Sequence, residues 1–372
     1  MPKTKGATPK KKSILNSSSL TFLKNYIDNA SPVGFESGGQ KLWLKYLEPY
    51  VDQTFTDSYG TAVGVINPDS PFKIVLEAHA DEISWFVNYI NPEGLLYLKR
   101  NGGVDHQIAP GQRVIIHGNK GHVKAVFGWP AIHTRLGNPD GKETQPKVEN
   151  LFLDCGARNK KEVGDLGVHI GSVVTYREGY DELAYDYLIG RAFDNRIGGF
   201  MIAETARLLK ENKKHLPYGL YVVNAVQEEI GLRGAEMIAR RIKPNIAIIT
   251  DVTHDTATPM VNKIIEGDIA CGKGPSLAYG PAVHNKLLAV VQETAAKKKI
   301  PVQLRTVSRS TGTDTDSFAY ANEGCPSVLI SIPLRYMHTT VEMLHKHDIE
   351  QTILLMYETL LSLSPKTNLG YF

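Results

Sequence analysis

Four short runs constrain this 372-residue chain more than anything else in it: FKIVLEAH (72–79), YGLYVVNAVQ (218–227), PNIAIITD (244–251) and CPSVLISI (325–332). They are rich in β-branched residues, nearly continuous in apolar character and lack the alternation of a half-solvated strand. Such runs are strands covered on both faces, as in a largely parallel sheet flanked by helices. The expected fold class is therefore α/β, with a mixed central sheet. Polar residues follow these runs directly: His79 and Asp81 in EAHADE, Glu228 and Glu229 in VQEEIG, Asp251 in ITDVT, and His338 in RYMHTT after the fourth. Asp194 stands in a further segment, RAFDN. The carboxyl ends of strands in an open α/β sheet are where ligand sites collect, because the loops diverge there.

Taken singly, a histidine at a strand end is more often a hydrogen-bonded core residue than a ligand, and Glu228-Glu229 reads equally as a solvated turn. Their joint placement is harder to explain that way. His79, Asp194, Glu229, Asp251 and His338 are five ligands, enough for two divalent ions sharing one carboxylate. Two ions about 3.5–4 Å apart stabilise both attacking and leaving oxygens, which points to metal-assisted hydrolysis. Asp81 and Glu228 are left for proton transfer and positioning.

The segments AHADEISWFV, GRAFDNRIGG, VQEEIGLRGA, DVTHDT, TGTDTDSFAYANEGCP and SIPLRYMHTTVE resemble, in order, the motifs of the M42 family of dinuclear metalloaminopeptidases. This is the glutamyl or deblocking type that includes the tetrahedral TET particles, and the resemblance spans residues 14–363. It implies an enzyme that hydrolyses N-terminal residues from peptides through a metal-bound hydroxide. Asp194 would bridge the ions, one also held by His79 and Asp251, the other by Glu229 and His338. Glu228 would be the general base. Asp81, two residues beyond His79 on an extended chain, would accept the imidazole's second N–H and fix its tautomer. The ligand set suits zinc first, with cobalt or manganese as alternatives. Asn195 stands where the family often has a second Asp, Ser84 where it often has Gly, and Asp316 where a small residue is common. The resemblance also implies dimers that build a tetrahedral dodecamer. Two rivals remain: an endoglucanase-type glycosidase using Glu228 and Asp81, which leaves five ligands unexplained, and an idle scaffold, which would be expected to have lost a ligand or the base.

The remainder of the chain supports a soluble, cytoplasmic enzyme acting on peptides, with no membrane or nucleic-acid partner. No apolar stretch approaches the about 18 residues of a membrane span, and no secretory leader pattern is present. Cys155, Cys271 and Cys325 are odd in number and widely spaced, as free thiols in a reducing compartment would be. Five lysines (3, 5, 10, 11 and 12) lie in the basic segment 1–13; without them the net charge of +3 becomes −2. That segment reads as a solvated tail. Residues 14–87 and 183–372 alternate strand and helix patterns and form the expected catalytic domain. Residues 88–182, with short runs between Gly, Pro and Asn turns, read as an inserted β-barrel-like dimerisation domain. His106, His117, His122 and His133 within it lack carboxylate partners at ligand spacing and read as structural or surface residues, as do His345 and His347 at a helix start, while His254 is a neighbour of the site. Gly272–Pro275 is the expected pocket loop. Neither CGKGPSLAYGP nor RNGG matches a phosphate-binding arrangement, and no GxSxG elbow exists.

Overall fold

The computed structural model describes residues 13–135, 145–177 and 179–372. Except for Ser13, the basic segment 1–13 lies outside the described residues. In chain order the strands are β1 (Gln53–Thr56), β2 (Ala62–Ile66), β3 (Lys73–His79), β4 (Ser84–Ile90), β5 (Leu96–Asn101), β6 (Arg113–Gly118), β7 (Gly121–Gly128), β8 (Phe152–Asp154), β9 (Val173–Tyr176), β10 (Asp181–Glu182), β11 (Tyr187–Gly190), β12 (Gly219–Ala225), β13 (Ile246–His254), β14 (Ser276–Tyr279), β15 (Gln303–Thr306), β16 (Ser327–Leu334) and β17 (Glu342–His345).

The eight-stranded sheet has the order β1-β2-β12-β3-β13-β16-β14-β15. Its four central neighbours, β12, β3, β13 and β16, are the four apolar runs, and each adjacent pair is parallel. Every residue of β12 and β16 is buried, as two-sided coverage requires. Antiparallel pairs of β2 with β12 and β14 with β16 make the sheet mixed. Because the central strands run the same way, their carboxyl ends gather His79, the 226–229 turn and Asp251 along one edge.

The helix Phe193–Glu211 packs on the sheet through Phe193, Ile197, Phe200, Met201 and Ile202, all fully buried. Its approach is close at Gly199: a Cβ there would lie 2.7 Å from Asn224 Oδ1 and 2.8 Å from the Tyr26 hydroxyl. Trp43, on the helix Ser37–Leu47, donates its indole N–H to the Gly199 carbonyl at 2.8 Å. Further amphipathic helices form at Ser17–Asp28, Arg233–Ile242, Asn285–Lys298 and Lys346–Ser362, within the stretches whose patterns alternate strand and helix.

Strands β4-β5-β8-β7-β6-β9 close into a barrel with its own core, in which Trp85 meets Phe127 edge-on at 5.5 Å between ring centroids. The barrel strands run from Ser84 to Tyr176, while Asp181–Glu182 pair instead with β11, which in turn pairs with β17. No helix among the described residues is long and apolar enough to cross a membrane.

Candidate active site

A cavity of about 280 Å³ opens over the strand ends, and among the residues lining it are His79, Asp194, Glu228, Glu229, Asp251 and His338. Residues separated by up to 259 positions thus share one wall. His79 Nε2 lies 3.2 Å from Asp194 Oδ1 and 3.8 Å from both Glu228 Oε2 and Asp251 Oδ1. His338 Nε2 lies 3.2 Å from Asp194 Oδ2 and 3.3 Å from Glu229 Oε1. Among the described residues three groups of ligand atoms each fall within 4.8 Å of one another, His79/Asp194/Asp251, Asp194/Glu229/His338 and His79/Glu228/Glu229; the first two share Asp194, one carboxylate oxygen facing each imidazole.

The backbone delivers these side chains through unusual conformations. Gln227 adopts a left-handed φ of 58°, turning the chain after β12 so that the amides of Glu228 and Glu229 point at Asp81. Asp81 accepts both, at 3.0 and 3.1 Å. It is fully buried, and its Oδ1 stands 3.3 Å from His79 Nδ1, close to that nitrogen but outside hydrogen-bond geometry. Glu342 plays a matching part on the other side: its oxygens accept the His338 amide at 2.8 Å and the Asp194 amide at 3.1 Å. His338 is itself left-handed, with φ 63°. Non-glycine residues held in this region are strained and persist only where the surroundings hold them.

The acids outnumber the bases. Burial, with the charges of Asp314, Asp251 and Glu229 adding to it, pushes the Glu228 carboxyl up to about 10 against the pull of His79. Burial and the nearby Asp194 and Glu229 charges raise Asp251 to about 7 despite His79. Burial likewise raises Glu77 to about 8 and lifts Asp314 and Glu342 well above the usual range. Burial opposes the imidazolium forms, yet the surrounding carboxylates win: His338 rises to about 12 and His79 stands well above its ordinary value. Asp194, although buried, is held below the usual carboxylate range by its hydrogen bonds to His338 and His79. Glu77 and Asp314 are buried against each other, and among the described residues no other group hydrogen-bonds their carboxyl oxygens. So much buried acid beside two imidazoles is a centre short of positive charge, and bound cations are the usual remedy. The imidazole and carboxylate donors suit zinc, cobalt or manganese.

Sequence reasoning missed Glu77, Asp314, Glu342 and Arg305. The first three lie inside the segments EAHADE, TGTDTDS and RYMHTTVE, but nothing in residue type marks them as buried acids, and their burial exists only in the folded chain. Arg305, on β15, lines the cavity. The residues noted as departures have structural employment. Asn195 donates to the Thr250 carbonyl at 2.8 Å and accepts the Gly198 amide at 3.1 Å. Ser84 accepts from Asn101 at 2.8 Å. Asp316 accepts the amides of Thr311 and Gly312 and so shapes a loop that walls the cavity. His254 lines the cavity too, whereas His345 caps the last helix through the His347 amide at 3.1 Å. The glycine loop expected to border the pocket is not among its lining residues; Asp348 holds it, accepting the Gly272 and Gly274 amides at 2.6 and 2.7 Å.

A model of the M42 glutamyl aminopeptidase family matches residues 60–355. The chain belongs to this family. A lysyl aminopeptidase from Pyrococcus furiosus is 31% identical over 92% of the chain and 97% of its own length. Among solved structures, a TET aminopeptidase from a marine sediment Thaumarchaeota archaeon superposes with a TM-score of 0.89 at 30% identity, covering 94% of this chain and 98% of that one. An endoglucanase from Thermotoga maritima is also similar, with a TM-score of 0.73 at 26% identity and coverage of 91% and 96%. Membership makes the chain a peptidase of the aminopeptidase type.

Proposed function

We propose that this M42 aminopeptidase uses two divalent ions to remove N-terminal residues from peptides. The observation that carries the reading is the pair of ligand groups sharing Asp194. One ion would be held by His79, Asp194 and Asp251, the other by Asp194, Glu229 and His338. Bound there, the ions would supply Lewis-acid activation of water and of the scissile carbonyl. The chain's own contribution is proton handling and placement. Glu228 lines the cavity; without the ions, burial and the neighbouring acids keep its carboxyl protonated, and the ions' charge would free it to take a proton from the attacking water and return it to the leaving amine. Asp81 fixes the turn that carries Glu228 and Glu229. The excess of carboxylates also provides a charge-assisted seat for the substrate's free α-ammonium group.

The test is a panel of aminoacyl p-nitroanilides assayed as purified, after chelation, and after adding back zinc, cobalt or manganese. Activity should vanish with chelator and return with metal, while a soluble cellulose substrate gives no turnover in any arm. Chelator-resistant release, or metal-independent cleavage of the glucan, would overturn the reading. Equal rates on a peptide and its N-acetylated form would overturn the α-ammonium seat. The closed barrel is the proposed dimerisation domain, and dimers are proposed to build a hollow dodecamer like a TET particle. The three free cysteines suit the cytoplasm as its setting.

A further inference from the structure

We infer that the barrel completes the metal centre: its Gly102–Gly103 turn, the RNGG segment that matched no phosphate-binding pattern, is a positioning element for the ion held by Glu229 and His338. The inference rests on the ligand assignment proposed above. Among the described residues, the turn reaches the site across 235 positions of sequence. His338 Nδ1 lies 3.1 Å from the Gly103 carbonyl oxygen. A carbonyl oxygen can only accept, so Nδ1 carries a proton, and Nε2 is the nitrogen left to offer a lone pair once an ion replaces its proton. Nε2 is the atom that faces Asp194 and Glu229. A backbone carbonyl holding the far nitrogen of a metal-binding imidazole is the arrangement that sets its tautomer and ring direction.

Close approach supplies a second, independent observation. A Cβ at Gly103 would stand 3.0 Å from both Cε1 and Nδ1 of His338, and one at Gly102 would stand 3.3 Å from Glu229 Cβ. The turn therefore lies against both ligands that would serve only the second ion. It is anchored rather than free: Asn101, at the end of β5, donates to the Val33 carbonyl at 2.9 Å and to Ser84 Oγ at 2.8 Å, tying the barrel rim to the α/β portion. Gly102 has a φ of 88° and tolerates side chains poorly, but Gly103 carries no such constraint. A side chain at 103 is thus a steric probe of the His338 ring alone.

The experiment measures metal content and metal affinity. Purified wild type, Gly103→Ala, Gly103→Val and the control Gly164→Ala, whose added Cβ meets nothing within 4 Å, would be stripped, titrated with zinc by calorimetry, and analysed for bound metal after dialysis. Circular dichroism and thermal melts check folding. Wild type and Gly164→Ala should bind two ions per chain. Gly103→Val should keep one ion at wild-type affinity and bind the second about 10- to 100-fold more weakly, the range typical of lost outer contacts to a ligand, with Gly103→Ala shifted in the same sense. A folded Gly103→Val that binds both ions like wild type overturns the inference; if Gly103→Val fails to fold, unchanged second-ion affinity in Gly103→Ala does so instead. Equal weakening of both ions would show a general disturbance and also refutes it. A wild type that binds no zinc would sink the metal-centre reading itself, which separates the two failures.

Discussion

Glu228 and Glu229 are adjacent, and both amides are held by Asp81, yet their carboxyls do different things. Glu229 Oε1 meets His338 at 3.3 Å, while burial and the neighbouring acids push the Glu228 carboxyl up to about 10. Glu228→Gln should therefore keep two ions and near-normal KM while kcat falls by about 10²–10⁴, the usual scale of general acid and base catalysis. Glu229→Gln should lose metal instead. Metal analysis beside steady-state kinetics decides it: Glu228→Gln with wild-type kcat, or stripped of metal, reverses the assignment. Arg305 bears on substrate choice. Burial pulls its guanidinium below the ordinary value; it forms no ion pair among the described residues, its hydrogen bond to Ser331 is 3.5 Å long, and its Nε is buried without a partner. Such a group on the cavity wall favours an acidic N-terminal side chain. Arg305→Met should lower kcat/KM for glutamyl p-nitroanilide about 10- to 100-fold relative to the leucyl substrate, the worth of one charge-assisted hydrogen bond; an unchanged ratio excludes Arg305 from specificity. The six cavity-lining candidates were legible because each follows an apolar run or sits in a motif. Arg305 lies outside the quoted segments, and Glu77, Asp314 and Glu342 lie within them unmarked, since only the folded chain shows that they are buried or face the cavity.

At the level of elements, β3, β12, β13 and β16 were legible because strands covered on both faces need apolar residues at every position. Strands β10, β11, β14, β15 and β17 have two to four residues each, too few for a period to register. The barrel's first strand, SWFVNYI, begins at Ser84, before the expected insert boundary at residue 88 and inside the AHADEISWFV motif. Its rim contact with His338 was invisible for a different reason, because a carbonyl's partner leaves no mark on residue type. The segment 193–211 shows how an element start can be functional. Asp194 and Asn195 are not helical, and the regular helix follows them. Asn195 closes this junction by capping the Gly198 amide and bonding the carbonyl that precedes Asp251. Asn195→Ala removes both bonds and leaves a buried donor and acceptor unmet, at a cost of about 1–3 kcal/mol. Chemical denaturation should show that loss, with weakened metal binding because Asp194 and Asp251 are no longer tied together. A variant as stable as wild type would mean that the junction is held by packing alone.

For the whole molecule, the buried acids predict opposite pH behaviour with and without metal. A carboxyl whose folded pKa is raised holds a proton that the unfolded chain has released, so stability falls as pH rises from 4.5 to about 10 for Glu228 and from 3.8 to about 7 for Asp251. His338, raised from 6.5 to about 12, stabilises fully below 6.5 and loses that contribution as pH climbs toward 12. The slopes agree, so the chelated protein should melt at a lower temperature at pH 8 than at pH 6. Ion binding requires deprotonated ligands, so the gap between loaded and chelated melting temperatures should widen over the same interval. A chelated protein that gains stability with pH would show that these groups titrate otherwise. Assembly is the remaining question at this scale. The barrel has a core of its own and leaves Tyr89, Val126, Ile132, Leu166 and Ile170 exposed on one copy of the chain. The α/β portion exposes Met260 and Ile264 almost wholly and Ile265 in large part. A stable contact buries about 1,600 Å² between partners, and two separate sets of exposed apolar residues suit a shell in which barrels pair and dimers then join through other faces. Such a shell would enclose the cavities and admit peptides but not folded proteins. Light scattering at micromolar concentration and moderate salt should give a mass near twelve chains, and Ile170→Asp with Ile132→Asp should reduce it if the barrels pair. A wild-type monomer or plain dimer would sink the dodecamer, and a dodecamer indifferent to both barrel substitutions would place the pairing surface elsewhere.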